Sequence, residues 1–279
     1  WALVASAAAS AIVTMTGTWW LAKWRPGFKI SRQAFDELVG FNRDTILTYL
    51  LGYLDDALPR FLLSLVGGER AVGFLSIAGQ IRGMMTDLLM GPFNEIAMNV
   101  VARLQTNRKA VGDLLDRVFT LTTAVLYPAT LGLVAIVPVA LPFLLGDEWK
   151  PAILPLQILL LLGLRDATGD FNISILRGVG DSRSPLLILF VGILLLGALA
   201  PFLLPYGLIG IAMMIAIRTF LTWPLSAVLV ERASGYKAIH QLTVGWRALL
   251  CAVGMMASVL LLSAALPSAL PGLAALALL

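Results

Sequence analysis

Long apolar runs, each close to the length of a bilayer-spanning helix, recur from one end of this chain to the other, and few folds can accommodate them. They fall at residues 1–22, 41–66, 72–100, 117–145, 150–177, 185–205, 207–231 and 246–266, with 269–279 opening another. A spanning helix needs about 20 apolar residues at a rise of ~1.5 Å each, and every complete run meets that length. The expected fold is all-α: a polytopic transmembrane helix bundle of about eight spans plus a partial one. Hydrophobic residues make up 59% of the chain and charged residues 13%, with a mean hydropathy of +0.90. That exceeds what a water-soluble domain buries in its core and points to a bilayer as the solvent.

The stretches between runs alternate in character. Residues 23–40, 101–116, 178–184 and 232–245 are longer and polar, whereas 67–71, 146–149, 205–206 and 267–268 are short. Sorting the cations by side places Lys23, Arg25, Lys29, Arg32, Arg43, Arg103, Arg108, Lys109, Arg117, Arg177, Arg183, Arg232, Lys237 and Arg247 on one side, against Arg70 and Lys150 on the other. Cytoplasmic loops collect cations, so the first side is assigned to the cytoplasm. A soluble protein has no reason to segregate charge in this way, and topology thus supports the membrane reading independently of hydropathy. Trp19, Trp20, Trp24, Trp149 and Trp246 fall at or near run ends, where an indole anchors at headgroup level. Residues 31–40 set Phe35, Leu38 and Val39 beside Arg32, Asp36 and Glu37, and residues 236–244 set Tyr236, Ile239 and Leu242 among Lys237, His240 and Gln241. Both read as helices lying on the cytoplasmic interface.

The net charge of +4 does not indicate a nucleic-acid partner, because the basic residues are dispersed between apolar runs and form no stripe with stacking aromatics. The single cysteine, Cys251, lies in an apolar run, so the chain has no internal disulfide and the residue is assigned to packing. Trp1 and Leu279 both fall inside apolar runs, which leads us to expect a fragment of a longer protein, with no cleavable signal peptide in view.

Four arginines, Arg60, Arg82, Arg165 and Arg218, sit within runs near the expected midplane or toward its extracytoplasmic side. A central arginine costs about 2.5–3.5 kcal/mol on insertion, so each should face the bundle interior or a wet cavity and find a partner. Asp56 lies four residues before Arg60, on the same helix face. Arg82 and Arg165 miss Asp87 and Asp170 by one step, and Arg218 has no acid nearby, so their partners must come from another helix or a ligand. Two readings stand together: interhelical Arg–Asp pairs that fix packing, and an anion-binding cavity using at least two of the arginines. Asp55, Asp56, Asp87, Asp166 and Asp170 are intramembrane too, which brings the balance near neutral. Asp166 and Asp170 share a face, where repulsion and desolvation favour a bound proton or cation unless an arginine lies between them. Ion coupling and ion pairing are both open for these acids.

Pro59, Pro92, Pro128, Pro138 and Pro155 lie inside runs, and Gly79 and Gly83 form a small-xxx-small pattern. Such residues kink helices and admit close packing, which suits bundles that rock in alternating access. Enzymatic constellations are missing: His240, the only histidine, falls in a connection, and there is no Cys/His cluster, phosphate-cradling glycine loop or nucleophile elbow. We expect neither an enzyme nor a metal or cofactor site.

Residues 67–81, GGERAVGFLSIAGQI, resemble the short outer turn and following helix of the Wzx-type flippases, the polysaccharide-transporter branch of the multidrug/oligosaccharidyl-lipid/polysaccharide (MOP) exporter superfamily. Residues 102–118, ARLQTNRKAVGDLLDRV, resemble that family's cytoplasmic connection. Residues 144–164, LLGDEWKPAILPLQILLLLGL, are similar to its Leu-Leu-Gly, Trp, Pro-Ala and Leu-Gln-Ile-Leu stretch, and 205–212, PYGLIGIA, to a later turn. The likeness extends over residues 30–235.

The resemblance implies a MATE/MOP-like architecture of two six-helix bundles around a central cavity. On that plan residues 1–22 are the last helix of a missing N-terminal bundle, 23–40 a cytoplasmic amphipathic connection, 41–231 the C-terminal six-helix bundle, and 232–279 additional, truncated C-terminal transmembrane helices. It also implies a flippase or exporter of the bacterial cytoplasmic (inner) membrane, serving lipopolysaccharide or exopolysaccharide biosynthesis. Such a protein moves a polyprenyl-diphosphate-linked oligosaccharide across the bilayer by alternating access. Its partners are then the lipid-linked oligosaccharide, membrane lipids and the missing bundle of the same chain. The matching motifs describe framework and carry no ligand residues. Assigning the diphosphate to Arg60, Arg82, Arg165 and Arg218 rests on the fit of guanidinium groups to bidentate phosphate contacts. The alternative is a cation-coupled drug antiporter of the same superfamily. A membrane glycan polymerase or ligase is more distant, because the short extracytoplasmic connections leave little surface for an acceptor.

Overall fold

All regular elements of the computed structural model, which describes residues 2–22, 32–104 and 108–265, are helices. They are α1 (Ala2–Leu21), α2 (Arg32–Leu104), α3 (Arg108–Leu145), α4 (Ile153–Leu160), α5 (Gly163–Gly169), α6 (Phe171–Gly178), α7 (Arg183–Leu203), α8 (Gly207–Ser234), α9 (Ala238–Thr243) and α10 (Trp246–Ala265). Short 3-10 turns at Asp147–Ala152 and Leu204–Tyr206 lead into α4 and α8. The expected turn at 267–268 and partial span at 269–279 lie outside the described residues, as do Lys23, Trp24, Arg25, Lys29 and the side chains of 32–42 and 92–108.

The chain divides into two compact units, Trp1–Asn42 and Arg43–Leu279. In the first, α1 carries no charged residue. Its hydroxyls are satisfied by their own helix: Thr14 and Thr16 donate to the carbonyls of Ser10 (2.8 Å) and Ile12 (2.7 Å), and Thr18 to that of Thr14. Back-bonding of this kind lets polar side chains sit in hydrocarbon.

In the larger unit, five segments are long and apolar enough to cross a membrane: Arg43–Gly91, Lys109–Leu145, Asp147–Gly178, Arg183–Ser234 and Ala238–Leu261. Two of them, of 49 and 52 residues, are long enough for a pair of spanning helices joined by a turn. α2 breaks at Gly68 (φ 70°, ψ −179°), a backbone conformation that a Cβ penalises. The limbs before and after Gly68 line one and the same cavity, through Asp55 and Arg60 on one and Leu75 and Arg82 on the other. α7 and α8 pack against each other on either side of the Leu204–Tyr206 turn. The short connections thus act as the sequence leads one to expect.

The run at 150–177 departs from expectation. Instead of one helix it forms α4, α5 and α6, and it is the most enclosed of the five segments. At the first joint the hydrogen bonds tighten to the 3-10 pattern, with Leu162, Leu164 and Arg165 donating to the carbonyls of Leu159, Leu161 and Leu162. At the second joint the carbonyls of Ala167 and Thr168 accept from side chains, Thr122 Oγ1 (2.6 Å) and Gln241 Nε2 (3.0 Å). Side chains that take over backbone carbonyls are a recognised cause of helix breaks, and they keep the freed groups satisfied inside a membrane.

α3 and α8 both pack on this broken segment, α7 lies along α8, and α10 lies along α3. Phe119, Phe171, Leu126, Leu156, Leu160, Ile175 and Leu196 fill the interior. Outward-facing positions are equally apolar: Leu50, Phe61, Leu121, Phe143, Phe190, Leu194, Phe202 and Leu221 are all exposed. A bundle apolar inside and out is built for a lipid surround.

Contacts between connections join segments assigned to the same side. Arg70 pairs with Glu148 (3.7 Å), and Phe74 meets Trp149 edge to face with centroids 5.1 Å apart. At the opposite set of connections, Ser182 donates to Asp44 (3.2 Å) and Arg177 lies over the Tyr49 ring. There too Asp116 meets both Tyr236 (3.2 Å) and His240 (2.7 Å). Burial raises the pKa of Tyr236, and the charge and hydrogen bond of Asp116 add to it, so the phenol stays a donor.

The small-residue pattern does not act as expected. A Cβ at Gly79 or Gly83 would meet nothing within 4 Å. Close approach occurs at Gly163, where a Cβ would overlap Thr130 Oγ1, bringing α5 against α3. Gly163→Ala is therefore expected to destabilise by about 1–3 kcal/mol through overpacking. Gly197→Ala, whose Cβ enters open space, should be neutral or slightly stabilising; thermal unfolding in detergent compares the two.

Candidate functional site

A cavity of about 320 Å³ opens between both limbs of α2 and helices α4, α5, α7 and α8. All four arginines singled out from the sequence line it: Arg60 and Arg82 from the two limbs of α2, Arg165 from α5 and Arg218 from α8. Asp55, Asp56, Pro59, Gly79, Thr219 and Thr222 lie on the same wall set. None of these elements could bring the four guanidinium groups together alone. The reversal at Gly68 supplies two, and the 3-10 joint before Arg165 aims the third.

Pairing is interhelical for Arg82 and Arg218, as expected, whereas Arg165, expected to draw its partner from another helix or a ligand, pairs with its own neighbour Asp166. Arg218 Nη1 on α8 donates to both carboxylate oxygens of Asp55 on α2. Gly192 of α7 backs this pair closely: a Cβ there would stand 3.3 Å from Arg218 Nη1 and 3.9 Å from Asp55 Oδ1. Asp166, with its side chain 1% exposed, accepts from two arginines, Arg82 Nη2 at 2.5 Å and Arg165 Nη1 at 3.4 Å. Arg60 makes no ion pair among the described residues, and the expected same-face Asp56 does not bond it. The Nε atoms of Arg82, Arg165 and Arg218 are buried without a partner.

The acids separate into distinct environments. Asp55 and Asp166 are buried and paired, and Asp56 lines the cavity as an exposed carboxylate. Asp87 is exposed and lies outside the cavity lining. Asp170 sits half-buried at the α5–α6 joint, outside the lining, and its N–H donates to the Asp166 carbonyl (3.2 Å). Of the two acids on the Asp166–Asp170 face, Asp166 is the one that Arg82 and Arg165 reach. Four arginines against Asp55, Asp56 and Asp166 leave the cavity with one excess positive charge. In a low-dielectric surround such an excess, with free N–H groups beside it, attracts an anion.

Sequence reasoning missed a polar cluster beneath the cavity. Gln241 Nε2 donates to Asn172 Oδ1 (2.6 Å), and Asn172 Nδ2 donates to Ser226 Oγ (2.7 Å); all three residues are fully buried. Of the stretch 236–244, expected to lie as a helix on the interface, Ala238–Thr243 is helical as α9; it turns Gln241 inward and leaves Ile239 67% exposed. An amide at 172, in the middle of an apolar run, was the available signal.

The sequence profile of a family described as polysaccharide biosynthesis protein matches residues 1–154, more than half of the chain. The chain belongs to that family. The matched region holds Asp55, Asp56, Arg60 and Arg82, while Arg165, Asp166 and Arg218 of this polysaccharide biosynthesis protein lie beyond it. No curated protein and no solved structure matches the sequence.

The Arg218–Asp55 pair generates a stability prediction. Removing one partner of a buried pair strands the other, at a cost of about 3–5 kcal/mol, so Asp55→Ala should lower the melting temperature markedly. Gly192→Leu, which displaces Arg218, should act similarly, and the two substitutions combined should fall well short of additive.

Proposed function

We propose that the protein is a flippase of the bacterial cytoplasmic membrane, moving a polyprenyl-diphosphate-linked oligosaccharide from the cytoplasmic to the outer leaflet by alternating access. The observation that carries this reading is the convergence of Arg60, Arg82, Arg165 and Arg218 on one cavity within membrane-spanning segments. Family membership supports it, since members of this polysaccharide biosynthesis family are typically transporters rather than enzymes. Sugar and diphosphate cannot cross hydrocarbon unaided. A wet, cationic cavity solvates them while the polyprenyl tail stays in the bilayer, and guanidinium forks match phosphate oxygens two at a time. The joints flanking α5 would let the arginine-bearing helix shift as the cavity changes its opening.

The drug or cation antiporter is the second reading, favoured by Asp56, a cavity carboxylate that makes no ion pair among the described residues. Export assays separate the two. In a strain lacking the gene, complementation with Arg60→Ala or Arg82→Ala should reduce surface glycan by at least about tenfold, the effect of losing one charge-assisted phosphate contact. Protein levels must be matched by immunoblot. Full glycan export with these charges removed would refute the flippase assignment, and loss of drug resistance on Asp56→Asn with glycan untouched would favour the antiporter.

A further inference from the structure

Three of the four cavity arginines are paired, and in two different ways. Arg218 is matched one to one: a single nitrogen holds both oxygens of Asp55, and Gly192 closes over the pair. Arg82 and Arg165 share a single carboxylate, that of Asp166, and the Nε–H of each, like that of Arg218, is buried without an acceptor. Their side chains are 30% and 15% exposed and both line the cavity, while Asp166 lies behind them at 1%. The contact to Arg82 is short at 2.5 Å and that to Arg165 long at 3.4 Å, so one carboxylate is stretched between two cations.

Resting on the flippase reading, we propose that Asp166 is an internal counter-anion that occupies the phosphate's place on Arg82 and Arg165 and is displaced when a diphosphate enters. A phosphoryl group offers more acceptor oxygens than a carboxylate and so can satisfy both guanidinium groups at once. The exchange has a mechanical consequence. Arg82 belongs to α2, whereas Asp166 and Arg165 are consecutive on α5, so the Arg82–Asp166 bond ties α5 to α2. A ligand that captures Arg82 unties them, and α5 is jointed at both ends. Differential contact in the tied and untied states is what a ligand needs in order to shift a conformational equilibrium. Asp166 thus weakens ground-state binding and lends the cavity a means of release.

The test is calorimetric titration of inorganic pyrophosphate into the full-length protein in lipid nanodiscs. Asp166→Asn should bind about tenfold more tightly than the unaltered protein. Asp56→Asn removes the same charge from the same cavity without freeing an arginine, and should tighten binding distinctly less. Equal tightening by both variants means that net charge alone matters and overturns the proposal. Binding by the unaltered protein with no gain in Asp166→Asn overturns it as well, and leaves the flippase reading intact. Absence of pyrophosphate binding in every variant overturns both. If Asp166→Asn does not fold, infrared difference spectra of the unaltered protein decide: pyrophosphate must shift a carboxylate stretching band as Asp166 loses its partners, and an unchanged band refutes the exchange.

Discussion

One buried carboxylate shared between two guanidinium groups governs the centre of this bundle. Charge within a bilayer is tolerable only where it is neutralised or wetted, and both solutions occur side by side here. Asp166 and Asp55 hold three of the arginines, and the cavity wall takes the fourth, Arg60. Bringing these groups within reach demands close helices. Gly192 yields the space for Arg218 and Asp55, and Gly163 lets α5 approach α3. The helix packing around the cavity follows from where the ions must meet.

The broken middle segment is the second consequence. A continuous helix from 147 to 178 would satisfy its own backbone, yet the chain tightens to 3-10 bonding just before Arg165 and Asp166 and breaks again at Asp170. Thr122 and Gln241 collect the carbonyls released at the lower joint. Through Gln241, the surface helix α9 reaches the segment that bears the ion cluster, and the bond of Asp116 to His240 fastens α9 to α3. Hydrogen bonds thus link α9 both to the broken segment and to α3.

Much of this was legible in residue order. The apolar runs marked the helices, because a bilayer admits only segments that satisfy their own backbone over a fixed thickness. The cost of charge in hydrocarbon singled out Arg60, Arg82, Arg165 and Arg218 as residues that must turn inward, and all four reach one cavity. Arg218 in particular had no acid at helical spacing, which already required a partner from another helix. Other inferences from spacing failed for a common reason. Arg60 and Asp56 share a face without bonding, Gly79 and Gly83 meet open space, and Gln241 points inward where Ile239 was the apolar candidate. Spacing describes one helix in isolation, whereas each of these outcomes depends on what the neighbouring helix presents.

By itself, then, the order of residues determined that the chain is a helical membrane bundle and which cations have to be sheltered. These depend on transfer of single residues and single helices between water and lipid, quantities set locally. Tertiary structure alone decided that Asp166 serves two arginines while Asp55 serves one, and that the span carrying Arg165 is jointed. Those outcomes belong to distances of a few ångströms between segments far apart in the chain, and no periodicity within a helix encodes them.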